Sequence, residues 1–500
     1  MRLFGEARLR RAFVSPLAAP LAEQPQKRRA VARPAACALS PALIPCGLAA
    51  GLAVTHAAAP AAAQVIAADR STAYEHGIAA GYKALALCEG VIVAGRSEAQ
   101  VEAVELRGIY PEYQPLLPRL KATVDRRARS VLVSFPGDLP PRRADWAPEV
   151  GCVLAPIGGT ARLWPVVAWP GPLPVPADAR PWPMGDRGIN PRPAPALAAT
   201  VARAFDGASY QGQTVGVIVM RDGRIIAEQY ANGFGPFVSN RTWSVAKSIA
   251  GTLVGMAVQE LGLDPKKPAA IPEWRVAADP RRAITLDQLL RMSSGLHSDH
   301  YGNRTDAIYF GGTTVTEQAV SWPLEVRPGT RFRYANNDIM LAARAVRAAM
   351  NNDARYAAWP QRLFRPLGMQ HTTAGTDWQG NFILSSQVYT TARDLARLGQ
   401  FWLQDGVWQG KRLLPAGWMR YMTTPAGPQP ADGPGYGATM WLFGPAQGLP
   451  AGSYSAQGNR GQYVMVVPSE KLVVVRRGED PAGSRFDIAR FTADVIRNLR

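Results

Sequence analysis

The chain has 500 residues, enough to bury a large core in two or three domains, and 47% hydrophobic against 19% charged residues excludes wholesale disorder. Its formal charge of +18 raises nucleic acid as a partner. Residues 1–63 hold eight Lys/Arg against Glu6 and Glu23, so the remainder carries +12, scattered, with no basic helix, zinc finger or aromatic RNA-binding motif. Solvated surface arginine accounts for that charge, and no nucleic acid is expected as a partner.

Residues 1–63 read as a secretory signal peptide. A basic stretch from Arg2 to Arg33 precedes a small, apolar run from Ala35 to Val54, and an Ala-rich site places cleavage after Ala63. A lipoprotein signal on Leu43-Ile44-Pro45-Cys46 is disfavoured, because Pro45 stands where a small residue is needed. No later apolar run reaches the roughly 18 residues of a membrane helix. A periplasmic or secreted protein with no membrane span is therefore expected. Cys37 and Cys46 leave with the leader. Cys88 and Cys152 remain, an even pair suited to a disulfide in an oxidising compartment; two buried thiols that never meet are the alternative.

Residues 65–163 read as a small α/β accessory domain without recognisable chemistry. A helix is predicted from Thr72 to Leu87, a strand at Val91–Val93 and a short helix from Glu98. Further strands are expected at Ser130–Phe135 and Val150–Leu154. Ten prolines between 164 and 197 forbid regular ladders and mark a linker or a strap over the surface.

Residues 198–500 are better patterned. Thr214–Met220 and Arg224–Tyr230 flank Asp222-Gly223, a hairpin signal. Ser453–Gln457, Gln462–Val467 and Leu472–Arg477 read as strands, and Arg485–Leu499 as a closing helix. Between them, helices are clearest at Ser244–Glu260, Thr285–Met292, Asp338–Asn351 and Thr391–Gln404. Strands from both ends with a helical insert predict an α+β fold: one antiparallel sheet flanked by helices and completed by the C-terminus.

The chemistry begins at Ser244-Val245-Ala246-Lys247. Ser244 opens a largely apolar helix, where free N–H groups and the dipole favour a developing oxyanion. Lys247 lies three residues on, so its amine stacks back over Ser244. An amine inside an apolar helix is paired or neutralised, and either suits a group that accepts the serine proton; a guanidinium cannot. The chain uses 48 Arg and only eight Lys, and Lys247 alone has Ser three residues before it. By itself the pattern also fits a helix-start serine with a snorkelling lysine.

Tyr-x-Asn occurs three times, at Tyr230, Tyr301 and Tyr334, so context must choose. Only Pro328-Gly329-Thr330-Arg331-Phe332-Arg333-Tyr334-Ala335-Asn336 is a turn leading directly into a helix, where a side chain is held firmly.

These two elements, with Leu289-Leu290-Arg291-Met292-Ser293-Ser294-Gly295-Leu296 between them, resemble the class C β-lactamase and D,D-peptidase superfamily of serine hydrolases over residues 198–500. The resemblance implies a β-lactamase-like fold and no cofactor or metal. Ser244 becomes the acylated nucleophile, Lys247 and Tyr334 share the proton traffic, and Asn336 faces the substrate carbonyl. The family's third motif, Lys-Thr-Gly or His-x-Gly, departs here: Ser455–Gln462 holds neither lysine nor histidine. A backbone N–H, assigned to Asn459, still completes an oxyanion hole with that of Ser244.

The missing lysine weakens recognition of the carboxylate of β-lactams and D-Ala peptides. Gly458-Asn459-Arg460-Gly461-Gln462 and the Trp243–Ser248 stretch most resemble the 6-aminohexanoate-dimer hydrolases. A small-molecule amide or ester is thus the expected partner; oligomeric state is left open. Arg460 is either a substitute cation or an exposed turn residue, while Trp243 and Trp441 are candidates for the substrate pocket. The loop from His297 to Phe310 is a candidate lid. The alternatives are a β-lactamase or D,D-peptidase, and a non-catalytic penicillin-binding-type sensor. A metal-dependent hydrolase built on His297, Asp299 and His300 lacks its first ligand, because Gly295 stands there.

Overall fold

In the computed structural model, residues 72–162, 179–297 and 305–499 are described. The leader, residues 164–178 of the proline-rich stretch, and Asp299, His300 and Tyr301 of the candidate lid lie outside them. Residues Asp69–Arg500 form one compact unit.

The first region contains α1 (Ala73–Leu87), α2 (Glu98–Val104) and a four-stranded antiparallel meander. Its strands are β1 (Ala122–Asp125), β2 (Ser130–Val133), β3 (Arg142–Ala147) and β4 (Gly151–Leu154). Thr72 and Glu75 form a reciprocal capping box at the start of α1. The strand expected at Val91–Val93 is instead a π-helical continuation of α1 over Cys88–Val93. A three-residue apolar run does not distinguish strand from buried helix, and tertiary bonds decide: Cys88 is disulfide-bonded to Cys152, and the Glu89 carboxylate accepts the Cys152 N–H. The continuation also makes Ala73–Val93 long and apolar enough to cross a membrane, contrary to the sequence expectation, but 78% of that window is buried against the rest of the protein.

The chain continues through α3 (Pro195–Arg203), β5 (Thr214–Arg221), β6 (Arg224–Tyr230), β7 (Asn240–Arg241) and α4 (Val245–Leu261). Next come α5 (Leu286–Leu290), α6 (Asp306–Tyr309), α7 (Asn336–Met350), α8 (Asp353–Ala357) and α9 (Gln361–Leu367). Two short strands, β8 (Thr373–Ala374) and β9 (Val388–Thr390), join β7 in a small sheet before α10 (Ala392–Leu403). A two-residue hairpin, β10 (Val407–Trp408) with β11 (Lys411–Arg412), precedes α11 (Trp418–Thr423). The last strands are β12 (Gly435–Tyr436), β13 (Trp441–Phe443), β14 (Ser453–Gly458), β15 (Gln462–Val467) and β16 (Leu472–Gly478), before α12 (Ile488–Arg497).

The main sheet is antiparallel with order β12-β13-β14-β15-β16-β5-β6. N- and C-terminal strands meet at β16–β5, where Val474 faces Val219, as the distribution of strands predicts. Period-two alternation divides its residues between two cores. Ile218, Met220, Val464, Val466, Val473 and Val475 face α4 and α10. Val217, Val219, Met465, Val467, Leu472 and Val474 face α3 and α12. Helices on both faces explain why these strands are apolar without interruption.

Candidate active site

Between β7 and α4 the backbone turns sharply. Trp243 sits at φ 49°, a strained value for a non-glycine residue, and the Arg241 guanidinium stacks on its indole 3.9 Å from the ring centroid. The turn leaves Ser244 as N-cap of α4 with a hydroxyl that makes no capping bond. That hydroxyl instead accepts from Lys247 Nζ at 3.0 Å and shares a hydrogen bond with Tyr334.

Lys247 is 1% exposed. Its ammonium also donates to Asn336 Oδ1 at 2.6 Å and to the Ser385 carbonyl at 2.8 Å. None of these partners is a carboxylate. Burial, and secondarily the positive charge of Arg241, lower the amine to about 7. Burial pushes the Tyr334 phenol above its ordinary range, so it holds its proton at neutral pH. The Lys247 nitrogen lies 4.9 Å from the Tyr334 ring centroid.

The Leu289–Leu296 segment supports this tyrosine from behind. The Gly329 and Arg333 N–H groups donate to the carbonyls of Ser293 and Met292, both at 2.8 Å, and Ser294 Oγ donates to Asp338 of α7 at 2.8 Å. Gly295 is at φ 77°, and a Cβ there would stand 2.3 Å from the Val326 carbonyl oxygen. Of the three Tyr-x-Asn sites, Tyr334-Ala335-Asn336 reaches Ser244, Tyr230 ends β6, and Tyr301 is outside the described residues.

The third side of the site is β14. β13 pairs only with Ser453–Ser455, so Ala456–Gly458 extend beyond it as an open edge. Gly458 meets the nucleophile's backbone: a Cβ there would come within 2.2 Å of the Thr242 carbonyl oxygen and 3.0 Å of the Ser244 nitrogen. Only glycine permits that approach. Asn459 follows, exposed, its side-chain oxygen accepting the Arg460 N–H at 2.8 Å.

Ser244, Tyr334, Asn336, Trp243, Trp441 and Asn459 line one cavity of about 710 Å³. Trp441 packs on Tyr334 with ring centroids 5.5 Å apart. Asn336, expected to face the substrate carbonyl, lines the cavity with its amide oxygen on Lys247 and its nitrogen reaching Thr305 Oγ1 at 3.4 Å. One expectation is corrected. Arg460 touches the cavity wall but is neither an exposed turn residue nor a spare cation: it is 7% exposed. Its guanidinium is committed to the Glu479 carboxylate, the Glu479 and Asp480 carbonyls and, at 3.8 Å, Glu105. A guanidinium does not shed its charge on burial, and here Glu479 and Glu105 balance it.

Sequence reading missed the roles of Arg241, just before the nucleophile, of Ser385, which reaches Lys247 from far along the chain, and of Tyr110, which lines the cavity from the first region. None carries a local pattern that announces it. Among the described residues no group of three or more His, Cys, Asp or Glu is placed to hold a metal.

An antiparallel sheet whose open edge faces a Ser-x-x-Lys helix, with a tyrosine loop on the third side, defines a serine hydrolase of the penicillin-recognising type. The Beta-lactamase family model matches residues 197–494, about three fifths of the chain, and the chain belongs to that family of serine hydrolases. A 6-aminohexanoate-dimer hydrolase of Paenarthrobacter ureafaciens is 25% identical over 307 residues, covering 53% of this chain and 72% of the relative. A penicillin-binding protein homologue from Caulobacter crescentus shares the fold with a TM-score of 0.50 at 17% identity, covering 62% of this chain and 99% of that one. A family VIII carboxylesterase does so with the same score and coverages at 16% identity.

Proposed function

We propose that the protein is an exported hydrolase of linear amides or esters that works through an acyl-enzyme on Ser244. The observation that carries this reading is Lys247: a buried amine 3.0 Å from the Ser244 hydroxyl, with no carboxylate partner and a pKa lowered to about 7. Near neutral pH it takes the hydroxyl proton as Oγ bonds to the substrate carbonyl carbon. The backbone N–H groups of Ser244 and Asn459 face the resulting oxyanion. As the intermediate collapses, the protonated Tyr334 donates to the departing amine or alcohol, and Lys247 returns its proton to Tyr334. Water then enters and the same groups release the acid.

The substrate class rests on Arg460 and the comparison with the dimer hydrolase. With no lysine in the third motif and Arg460 committed to Glu479, β14 offers no spare cation for the carboxylate of a β-lactam or D-Ala peptide. Export is supported by the leader pattern and by the Cys88–Cys152 disulfide, which an oxidising compartment forms.

The test is purified enzyme assayed on p-nitrophenyl butyrate, a 6-aminohexanoate dimer and nitrocefin, alongside a fluorophosphonate probe. Ester turnover should lead, because a good leaving group asks little of Tyr334; the linear amide should follow and nitrocefin be slow. Nitrocefin turnover above ester turnover would overturn the substrate reading. The probe should modify one peptide, containing Ser244, and labelling that persists in Ser244→Ala would remove the nucleophile assignment.

A further inference from the structure

The family match begins at residue 197, yet the active-site cavity does not belong wholly to the matched segment. Ile109, Tyr110 and Pro111, in the stretch between α2 and β1, form part of its wall beside Trp243 and Ser244. We propose that this stretch is a substrate-binding wall, with Tyr110 the specificity-determining residue that receives the hydrocarbon chain of the amide or ester. The inference rests on the reading of Ser244 as nucleophile.

Three features make the wall fixed. Tyr110 packs edge-on against Tyr82 of α1 with ring centroids 5.0 Å apart, and against Phe310 at 5.6 Å. Its hydroxyl is hydrogen-bonded to Arg241, the residue stacked on Trp243. The Tyr110 carbonyl accepts the Tyr113 N–H at 3.0 Å, and the Tyr113 hydroxyl donates to Asp306 at 2.8 Å, so the turn is tied to α6. The polar end of Tyr110 is thus occupied by Arg241, while Ile109 and Pro111 beside it carry only hydrocarbon. Such a surface takes methylenes. Held by α1 and α6, it needs no reordering when substrate arrives.

The experiment compares kcat/KM for p-nitrophenyl octanoate and acetate in the full-length protein, read as a ratio, in Tyr110→Ala, Tyr110→Phe and Ile109→Ser. Acetate carries a single methyl beyond its carbonyl, so the ratio isolates contacts made by the longer chain. Losing contact with one or two methylenes should lower the octanoate-to-acetate ratio by about four- to fifteenfold in Tyr110→Ala. Tyr110→Phe keeps the ring and should stay within about twofold of wild type. Ile109→Ser, half-buried and outside the Tyr82 cluster, gives the same direction of change if Tyr110→Ala does not fold. Thermal unfolding of each variant identifies the folded ones. A ratio unmoved in the folded variants, with hydrolysis still lost in Ser244→Ala, overturns the wall while leaving the nucleophile intact. Hydrolysis that survives Ser244→Ala overturns both.

Discussion

Lys247 sits against the nucleophile and Arg460 in the wall of its cavity, both cations and both buried, and the protein treats them oppositely. Lys247 is surrounded by a hydroxyl, an amide and a carbonyl, with Arg241 adding positive charge. Arg460 is surrounded by Glu479 and Glu105, and Arg96 holds Glu105 from its far side at 2.6 Å. An amine denied a counterion can discard its charge and become a base. A guanidinium cannot, so at Arg460 the charge is kept and met by carboxylates, and the result is a strut. That strut braces the turn carrying Asn459, where Arg460 itself lies at φ 56°. The surroundings, not the charge, separate catalyst from scaffold.

The sharpest way to break this contrast is Lys247→Arg, which keeps charge and removes the titration. Turnover of p-nitrophenyl butyrate should fall on the order of a thousandfold, nearly as far as in Lys247→Ala. Retention of most of the rate would mean that charge alone suffices and that proton transfer belongs to Tyr334.

Glu479→Gln attacks the other side. Removing one partner of a buried pair costs about 3–5 kcal/mol, read as a shift in the denaturant midpoint. The surviving folded enzyme should lose far less turnover than Lys247→Arg does. Stability within about 1 kcal/mol of wild type would show that Glu479 is not the counterion that holds Arg460.

The pH dependence is the smallest effect. The acylating form has neutral Lys247, so kcat/KM should rise with pH through an apparent pKa of about 7 and drop about fivefold from pH 7 to pH 6. The sign for stability follows from the same lowered amine. Below about 7 both folded and unfolded states hold the proton. Between about 7 and the ordinary 10.5 the unfolded chain binds more, so the unfolding free energy should rise with pH across that window. Lys247→Met should flatten both profiles; a limb that persists in it belongs to another group.

Much of the catalytic region was legible because its signals are local. The strands β5, β6, β15 and β16 are apolar runs separated by turn residues, and α4 is an apolar helix ended by Gly262 at φ 63°. Ser244 and Lys247 lie one helical turn apart, so spacing alone puts them together. Tyr334 was separable from two identical motifs because its turn runs straight into a helix.

The first region hid more. β1 and β3 were unread because Ala122-Thr123-Val124-Asp125 and Arg142-Arg143-Ala144-Asp145 look like loop. Yet Arg142 and Asp145 are 1% exposed: the Gly77, Ala155 and Phe310 carbonyls accept from the Arg142 guanidinium, and Arg143 pairs with Asp145. The sequence by itself thus determined the sheet, the nucleophile's helix and the class of chemistry, all encoded within a few neighbouring residues. The tertiary structure alone decided that Val91–Val93 is helical, that Arg460 is a strut, and that Tyr110 reaches the cavity. Each depends on a partner far along the chain (Glu105 for Arg460, Arg241 for Tyr110), and whether a side chain is paired, desolvated or exposed is a property of such contacts, which no local pattern carries.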